Sequence, residues 1–545
     1  MENNSKVKIY KKYTKYLSIF FIIFFLGLST ERFGLDNKVS LAFKNSLDSF
    51  SRFLYSFTSK EKIFINIKPR NYDRILKTRE LSLKKNKLTE DLHDWVPAKL
   101  VNEGNSHNIK IRLKGAFADH WEDSVQWSFK IKVDNDSKSI FGLRRFAIQP
   151  PKTISYLYEW LFMKALEKEK LISLGARYLD VIINGNSRGA YLLQGQASKE
   201  LIKSNNREDG PVIGFSKNLF LEEQINSDRL NAMNATGSLN GIEDSFWRAK
   251  IEPVQFSDKE NKTKQESNLK KAIYLLESFR NGSLKPSQVF DVDQLTKVMA
   301  LRAILGSSEF DWRDTKFYFN PKTSLLEPIS REIHVDLNLN FKDHYFSWWI
   351  DSSHMRPHYV NNTNFFIDIL YKDKKFYRKY LSELNRLSKT KYYEDLIQEN
   401  SKDFKKYKKI LKNNYPTKKI FSKEHLEINR IRIQDFLDPI QGLNVYFLDY
   451  KDDLLFLDVS NLQRIPAEIL GIEFEGKSKI YLKKPFLIEG KKPLLPLKNN
   501  TIKIHCQDKK KCGKLLIDKH KIIFKILGQE KEKKTEISKH YYKSE

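Results

Sequence analysis

Apolar and basic residues alternate along two neighbouring segments, Ile109-Lys110-Ile111-Arg112-Leu113-Lys114-Gly115 and Phe129-Lys130-Ile131-Lys132. A period of two predicts strands, with Arg112 and Lys114 sharing one face of the first and Lys130 and Lys132 one face of the second. Such a layer can hold a phosphate-bearing ligand, or it can stand as a solvated sheet face. Phe64-Ile65-Asn66-Ile67 predicts an earlier strand that opens the folded body, and strands dominate to about Val133. The spacing of Leu157, Trp160, Leu161, Met163, Ala165 and Leu166 predicts a helix over about 155–170. Residues 178–185 and 189–193 flank Asn184-Gly185, which predicts a hairpin with a turn longer than two residues. Polar loops are expected at 203–211 and 256–266, and helices at about 266–280 and 292–305. A charged, mostly helical stretch follows over 372–412, and from about 440 short apolar runs with Gly, Pro and Asn punctuation predict strands.

The N-terminus follows a different pattern. Lys6, Lys8, Lys11, Lys12 and Lys15 precede the apolar run Leu17 to Leu28, after which Ser29-Thr30-Glu31-Arg32 offers no small-x-small cleavage site. This pattern predicts an uncleaved signal anchor, with a cleaved signal as the alternative. Either places the body of the chain outside the cytoplasm, by the excess of positive charge before the run. The expected organisation is an anchor over 1–30, a linker over 31–60 and a core over 61–350. A mostly helical extension (351–429), a small β domain (430–528) and a charged tail (529–545) complete it. The fold class is α+β.

Composition narrows the function. The 545 residues are 40% hydrophobic and 13% aromatic, enough for a sizeable core, and the formal charge is +29. That charge permits attraction to nucleic acid, anionic lipid, anionic envelope polymers or nucleotides. The lysines are spread along the chain and no zinc-finger or RNA-binding signature occurs. The export signal also argues against a nucleic-acid partner. The only cysteines, Cys506 and Cys512, can form a disulfide or stay reduced.

A second constellation carries carboxylates. Glu309-Phe310-Asp311-Trp312-Arg313-Asp314 leads into Phe317-Tyr318-Phe319-Asn320-Pro321 and Leu326-Glu327-Pro328-Ile329, and the segment reaches Asp336 and Asn338. A hairpin here would return Asp336 toward Asp311 or Asp314. Phosphoryl transfer needs one carboxylate to orient or deprotonate the acceptor and another to hold Mg²⁺ against the phosphates. Carboxylates near strand ends are also commonly solvated or salt-bridged.

The ordered set Arg112-Leu113-Lys114-Gly115, Asp119-His120, Trp127-Ser128-Phe129-Lys130 and Phe141-Gly142-Leu143-Arg144-Arg145-Phe146 resembles the CotH-type (spore-coat protein H) kinase family. Leu157-Tyr158-Glu159-Trp160-Leu161, Asn184-Gly185 and Asn205-Asn206-Arg207-Glu208-Asp209-Gly210-Pro211 extend the likeness, which spans roughly 61–345. The resemblance implies an atypical protein-kinase-like two-lobed domain that uses ATP and Mg or Mn to phosphorylate a protein hydroxyl. It implies phosphate contacts from Lys114 or Lys130, with Arg112 and Lys132 on the same strands. Asp311 takes the catalytic acid/base position, Asp314 the neighbouring polar position, and Asp336 with Asn338 the metal position. The expected partners are an envelope protein substrate or an anionic envelope polymer, and the membrane through the anchor. Four departures stand out. Gln126 replaces a lysine, Gln194-Gly195-Gln196 replaces an acidic pair, Asn338 replaces an acid, and Ser330-Arg331-Glu332 resembles an insertion. These leave a catalytically degenerate binding or scaffold protein as the alternative. Outside the likeness, Trp348-Trp349 with Asp351 and His354 can form a binding platform or pack in the core. Lys509-Lys510-Lys511 and Lys531 to Lys534 can touch an anionic surface or remain solvated.

Overall fold

Seven strands between Lys62 and Gly195 close into a barrel in the computed structural model. It describes residues 47, 48, 51, 61–232, 245–255, 262–307, 310, 312–335, 365–475, 478–492, 495–506 and 519–539. The barrel strands are β1 (Lys62–Asn66), β2 (Val96–Asn102), β3 (Asn105–Leu113), β4 (Phe129–Val133), β5 (Arg145–Gln149), β6 (Arg177–Ile183) and β7 (Asn186–Gly195). Their order is β1-β2-β3-β4-β5-β7-β6, and parallel pairing of β1 with β6 closes the ring.

Alternation decides which side chains fill the barrel. Ile109, Ile111 and Leu113 of β3 and Phe129, Ile131 and Val133 of β4 are buried in one cluster with Ile63, Ile65, Phe146 and Val181. Each such side chain is worth roughly 1.5–3 kcal/mol of burial. The basic residues between them therefore stand on the outer wall. Helix α1 (Pro69–Lys85) follows β1. On β6 and β7 both faces are covered, because Tyr178 and Leu192 join a second core built on helix α2 (Leu157–Lys168). The expected helix is thus present, framed by left-handed Ser155 and Tyr156 at its start.

The β6–β7 turn corrects an expectation. Ile183 pairs with Asn186, so the turn is the two residues Asn184-Gly185, both with positive φ, and the irregularity sits one step in, around Arg188. Two left-handed residues match the twist of the flanking strands, which is why Asn-Gly serves here.

A second sheet, of order β11-β10-β8-β9, uses β8 (Val212–Phe215), β9 (Ile251–Gln255), β10 (Lys316–Asn320) and β11 (Leu325–Ile329). Helix α3 (Asn218–Ala232) follows β8, and α4 (Lys262–Arg280) starts inside the segment expected to be a polar loop. Helix α5 (Val292–Leu305) is buried along most of its length and ends at left-handed Gly306. Its core continues into helices Phe365–Lys372, Lys374–Leu387, Ser401–Asn414 and Lys423–Leu437. The same core includes the strands between Leu443 and Glu536, which form a three-stranded and a four-stranded sheet. Cys506 is buried and disulfide-bonded. Among the described residues no helix is long and apolar enough to cross a membrane, and the apolar run Leu17 to Leu28 lies outside them.

Candidate active site in the cleft between barrel and second sheet

The outer wall of β3–β4 faces the second sheet across a cleft of about 650 Å³. Arg112, Lys114 and Lys130 enter it from the barrel. Lys217, Asp314, Lys316, Arg331 and Glu332 enter from the other side. Glu90, Asp119 and Glu252 line it as well, so six cations face five carboxylates, while Leu88, Ala116, Phe117, Leu221, Pro253 and Val254 supply apolar rim. Lys132 shares the expected face with Lys130 but is exposed and does not line the cleft, because the second sheet covers only one end of that face. Asp311, Asp336 and Asn338 lie outside the described residues, as do Trp348, Trp349, Asp351 and His354.

Lys114 and Glu332 form a buried ion pair, and Lys114 Nζ also donates to Gln149 Oε1 at 2.7 Å. Burial pulls the Lys114 ammonium below its ordinary pKa, while Glu332 pulls it up. For Glu332, burial works against ionisation, but Lys114 and Arg331 outweigh it and hold the carboxyl well below its ordinary value. Glu332 has a φ of 53°, unusual for a residue with a side chain. A frame keeps it there. The Glu159 carboxylate, on α2, accepts the Glu332 and Ile333 backbone N–H groups at 3.1 and 2.6 Å. Arg302, on α5, donates to the carbonyls of Arg331 and Glu332. The Ser330-Arg331-Glu332 stretch is therefore a cleft-lining element, which its appearance as an insertion did not reveal.

Asp314 is held by Lys217 Nζ at 2.5 Å and lies 3.9 Å from Arg331. Burial raises its carboxyl, but Lys217 and Arg331 overcome this and depress it well below the carboxylate range. So strong a depression makes Asp314 a poor proton acceptor and a good fixed anion. Lys316 lies along Gly214, where a Cβ would fall 2.4 Å from its Cδ, and donates to the Phe215 carbonyl at 3.0 Å. Burial, with Lys217 and Arg331, lowers its ammonium to about 7. Lys217, Lys316 and Arg331 carry no pattern in the sequence, since they come from three separate segments. The nearest available signal was the adjacency of Lys316 to Asp314.

The neighbouring residues are structural. Gly115, at φ 93°, packs on the His120 ring, and His120 Nδ1 pairs with Ser128 Oγ at 2.9 Å. His120 is thus a buried wall residue. Gln126 is fully buried away from the cleft. It donates to the Arg188 and Ala190 carbonyls and accepts from the Tyr415 hydroxyl at 2.6 Å. Gln194 donates to Glu159 at 2.7 Å, behind Glu332. At Gly195 a Cβ would fall 2.9 Å from the Leu174 carbonyl oxygen, so an acid there has no room. Two of the departures from the family pattern therefore support the scaffold and leave the cleft's own charges in place. Lys531 and Lys533 pair with Asp438, and Lys534 with Glu473.

Among the described residues no group of three metal-ligating side chains occurs. No protein-family model matches the chain, and no curated protein matches it.

Proposed function

We propose that the chain is a membrane-anchored, extracytoplasmic CotH-like kinase that transfers phosphate from ATP to a protein hydroxyl of the bacterial envelope. In this reading the barrel is one lobe of a kinase-like domain, and the second sheet with its helices is the other. A helical extension and a C-terminal β domain follow. The observation that carries it is the convergence of Arg112, Lys114 and Lys130 with Asp314 in one cleft. Phosphoryl transfer asks mainly for positioning and charge stabilisation, which fixed cations and carboxylates supply.

The cleft's donor set fits the phosphates of a nucleotide, because Arg112, Lys130 and Lys316 reach it without a carboxylate within ion-pair distance among the described residues. The apolar rim suits a planar base. Asp336 and Asn338 would hold Mg or Mn, which supplies charge neutralisation between the phosphates when bound. Asp311 remains the acid/base candidate, because Asp314 is held ionised and acts better as an orienting anion. Glu332 would keep Lys114 extended across the cleft. The test is phosphate transfer from γ-labelled ATP by the full chain. Asp311→Ala and Asp336→Ala abolish labelling if these assignments hold, and labelling that persists in both removes them.

One observation favours a binding protein on the same fold: Lys114 and Asp314 are each neutralised within the chain, by Glu332 and Lys217. No nucleotide-induced thermal shift, together with retention on an anionic glycan column, would support that reading.

A further inference from the structure

The C-terminal β region leaves one sheet edge uncovered. The strand Lys479–Ile488 ends the four-stranded sheet, with the strand Ala467–Glu473 as its one ladder neighbour among the described residues. Ile480 pairs with Ile472 and Phe486 with Ile469, so both point to the side of the sheet where those two isoleucines lie fully buried. Ile480 and Phe486 are nevertheless 36% and 41% exposed, and Tyr481 is more exposed still. Leu495 and Leu497 are exposed as well, just before the strand Asn499–His505, which packs against Lys479–Ile488. Single exposed apolar residues are ordinary, but five large ones within 480–497 mark an interaction surface.

Charge accompanies the apolar residues. Residues 479–498 contain six lysines and one carboxylate, Glu489, which pairs with Lys374 outside the stretch. Lys479 reaches Glu473 only at 4.0 Å. Lys483, Lys484, Lys492 and Lys498 are exposed and have no ion pair among the described residues. The strand itself displays two of them. Tyr481 pairs with Gly471 and Phe486 with Ile469, so the four residues 482–485 stand opposite Leu470 alone. The ladder therefore bulges between Tyr481 and Phe486, and Lys483, Lys484 and Pro485 are exposed on the bulge.

We infer that this edge is a docking surface for an anionic lipid bilayer, with Ile480, Phe486, Leu495 and Leu497 entering the boundary between headgroups and acyl chains and the lysines pairing with lipid phosphates. The inference goes beyond the kinase reading and does not rest on it. Interfacial binding needs apolar area together with attraction to anionic lipid, and this stretch offers both. Lysine stems can lie along apolar surface while their ammonium groups reach the phosphates. An added strand fits less well. Pro485 lacks a donor, and the bulge and its two lysines interrupt the edge, which are the features that keep sheet edges from pairing. A second copy of the chain also fits less well, because two surfaces of this charge repel each other.

The test places an apolar fluorophore on Phe486→Cys in the full chain; Cys506 is held in a disulfide and takes no label. The labelled protein is reconstituted in vesicles of phosphatidylcholine alone or mixed with phosphatidylglycerol, both with brominated acyl chains that quench a fluorophore at their depth. The inference predicts quenching in the mixed vesicles, its loss in high salt, and little in phosphatidylcholine. Lys483→Gln/Lys484→Gln should melt at the parent's temperature, since both side chains are exposed. It should lower the ratio of docked to undocked protein about 25-fold, at about fivefold for each lysine near an anionic leaflet. Leu495→Ser/Leu497→Ser should reduce quenching in the mixed vesicles through the apolar contact. Absence of quenching in the mixed vesicles overturns the inference. So does quenching that is equal in both lipids and survives the lysine substitutions. A fluorophore that responds instead to a soluble anionic glycan, or to rising protein concentration without lipid, assigns the edge to a polymer or to a second copy and overturns it as well.

Discussion

Replacing Glu332 by alanine isolates the cleft's central ion pair. Alanine keeps a Cβ at φ 53°, so the backbone cost of the left-handed conformation stays in place and the difference reports on charge. The side chains of Lys114 and Glu332 are 3% and 10% exposed. Removing one partner of a pair buried to this degree costs about 3–5 kcal/mol, because the other charge is left uncompensated. What remains to Lys114 is the neutral oxygen of Gln149 at 2.7 Å, with Arg331 repelling it. Lys114 can lower the cost by shedding its proton, and this fixes the pH dependence. A lysine with a depressed pKa binds fewer protons folded than unfolded between its folded value and about 10.4, so stability rises with pH across that window. The penalty of Glu332→Ala is therefore largest near pH 6 and shrinks toward pH 10. Urea unfolding at pH 6 and pH 9 measures it. The double variant Lys114→Met/Glu332→Leu should recover most of the loss, because two apolar groups leave no stranded charge. A Glu332→Ala protein within about 0.5 kcal/mol of the parent at pH 6, as expected of ordinary surface sites, would refute the reasoning. A penalty that grows with pH would do the same.

Three further outcomes follow from the same geometry. Gly115→Val would place a Cβ 2.1 Å from the His120 ring at a φ of 93°, so it should cost about 2 kcal/mol or more in urea unfolding; a neutral result would mean that His120 does not wall the cleft. Lys316, lowered to about 7, should make anion binding fall as pH rises through 7 and stability rise from there toward the ordinary lysine value. Lys316→Met should flatten both profiles near pH 7, and unchanged profiles would contradict the assignment. Gln126→Lys, which installs the lysine of the CotH-type pattern that the sequence resembles, should destabilise by about 3 kcal/mol or more, because it buries a charge against the Arg188 and Ala190 carbonyls and Tyr415. It should leave nucleotide affinity unchanged, and a gain in affinity would return Gln126 to the cleft.

The period-two alternation at 109–114 and 129–132 was legible in the sequence, because side chains on a strand must alternate faces. It set Arg112, Lys114 and Lys130 on one wall correctly. It did not show that Lys132 falls beyond the covered end, since coverage depends on strands about two hundred residues away. Closure of the barrel was equally hidden, because it rests on parallel pairing of β1 with β6 across the whole lobe. The helix at 157–168 was visible from its spacing, but the use of Glu159 to hold two backbone N–H groups was not. A buried carboxylate inside an apolar helix is the trace that such a role leaves in sequence. The positions of Gln126 and Gln194 were equally hidden. They depart from the CotH-type pattern that the sequence resembles, and their side chains bond within the scaffold.

The central claim is that this cleft binds ATP with a divalent metal and passes on its terminal phosphate. Incubation of the full chain with γ-labelled ATP and Mg²⁺ or Mn²⁺ tests it most directly, with label on the chain or on a co-expressed envelope protein as the readout. The account predicts metal-dependent labelling that disappears in Asp336→Ala and in Asp311→Ala. Absence of ATP binding and of labelling in the unaltered protein, with both metals, would contradict it.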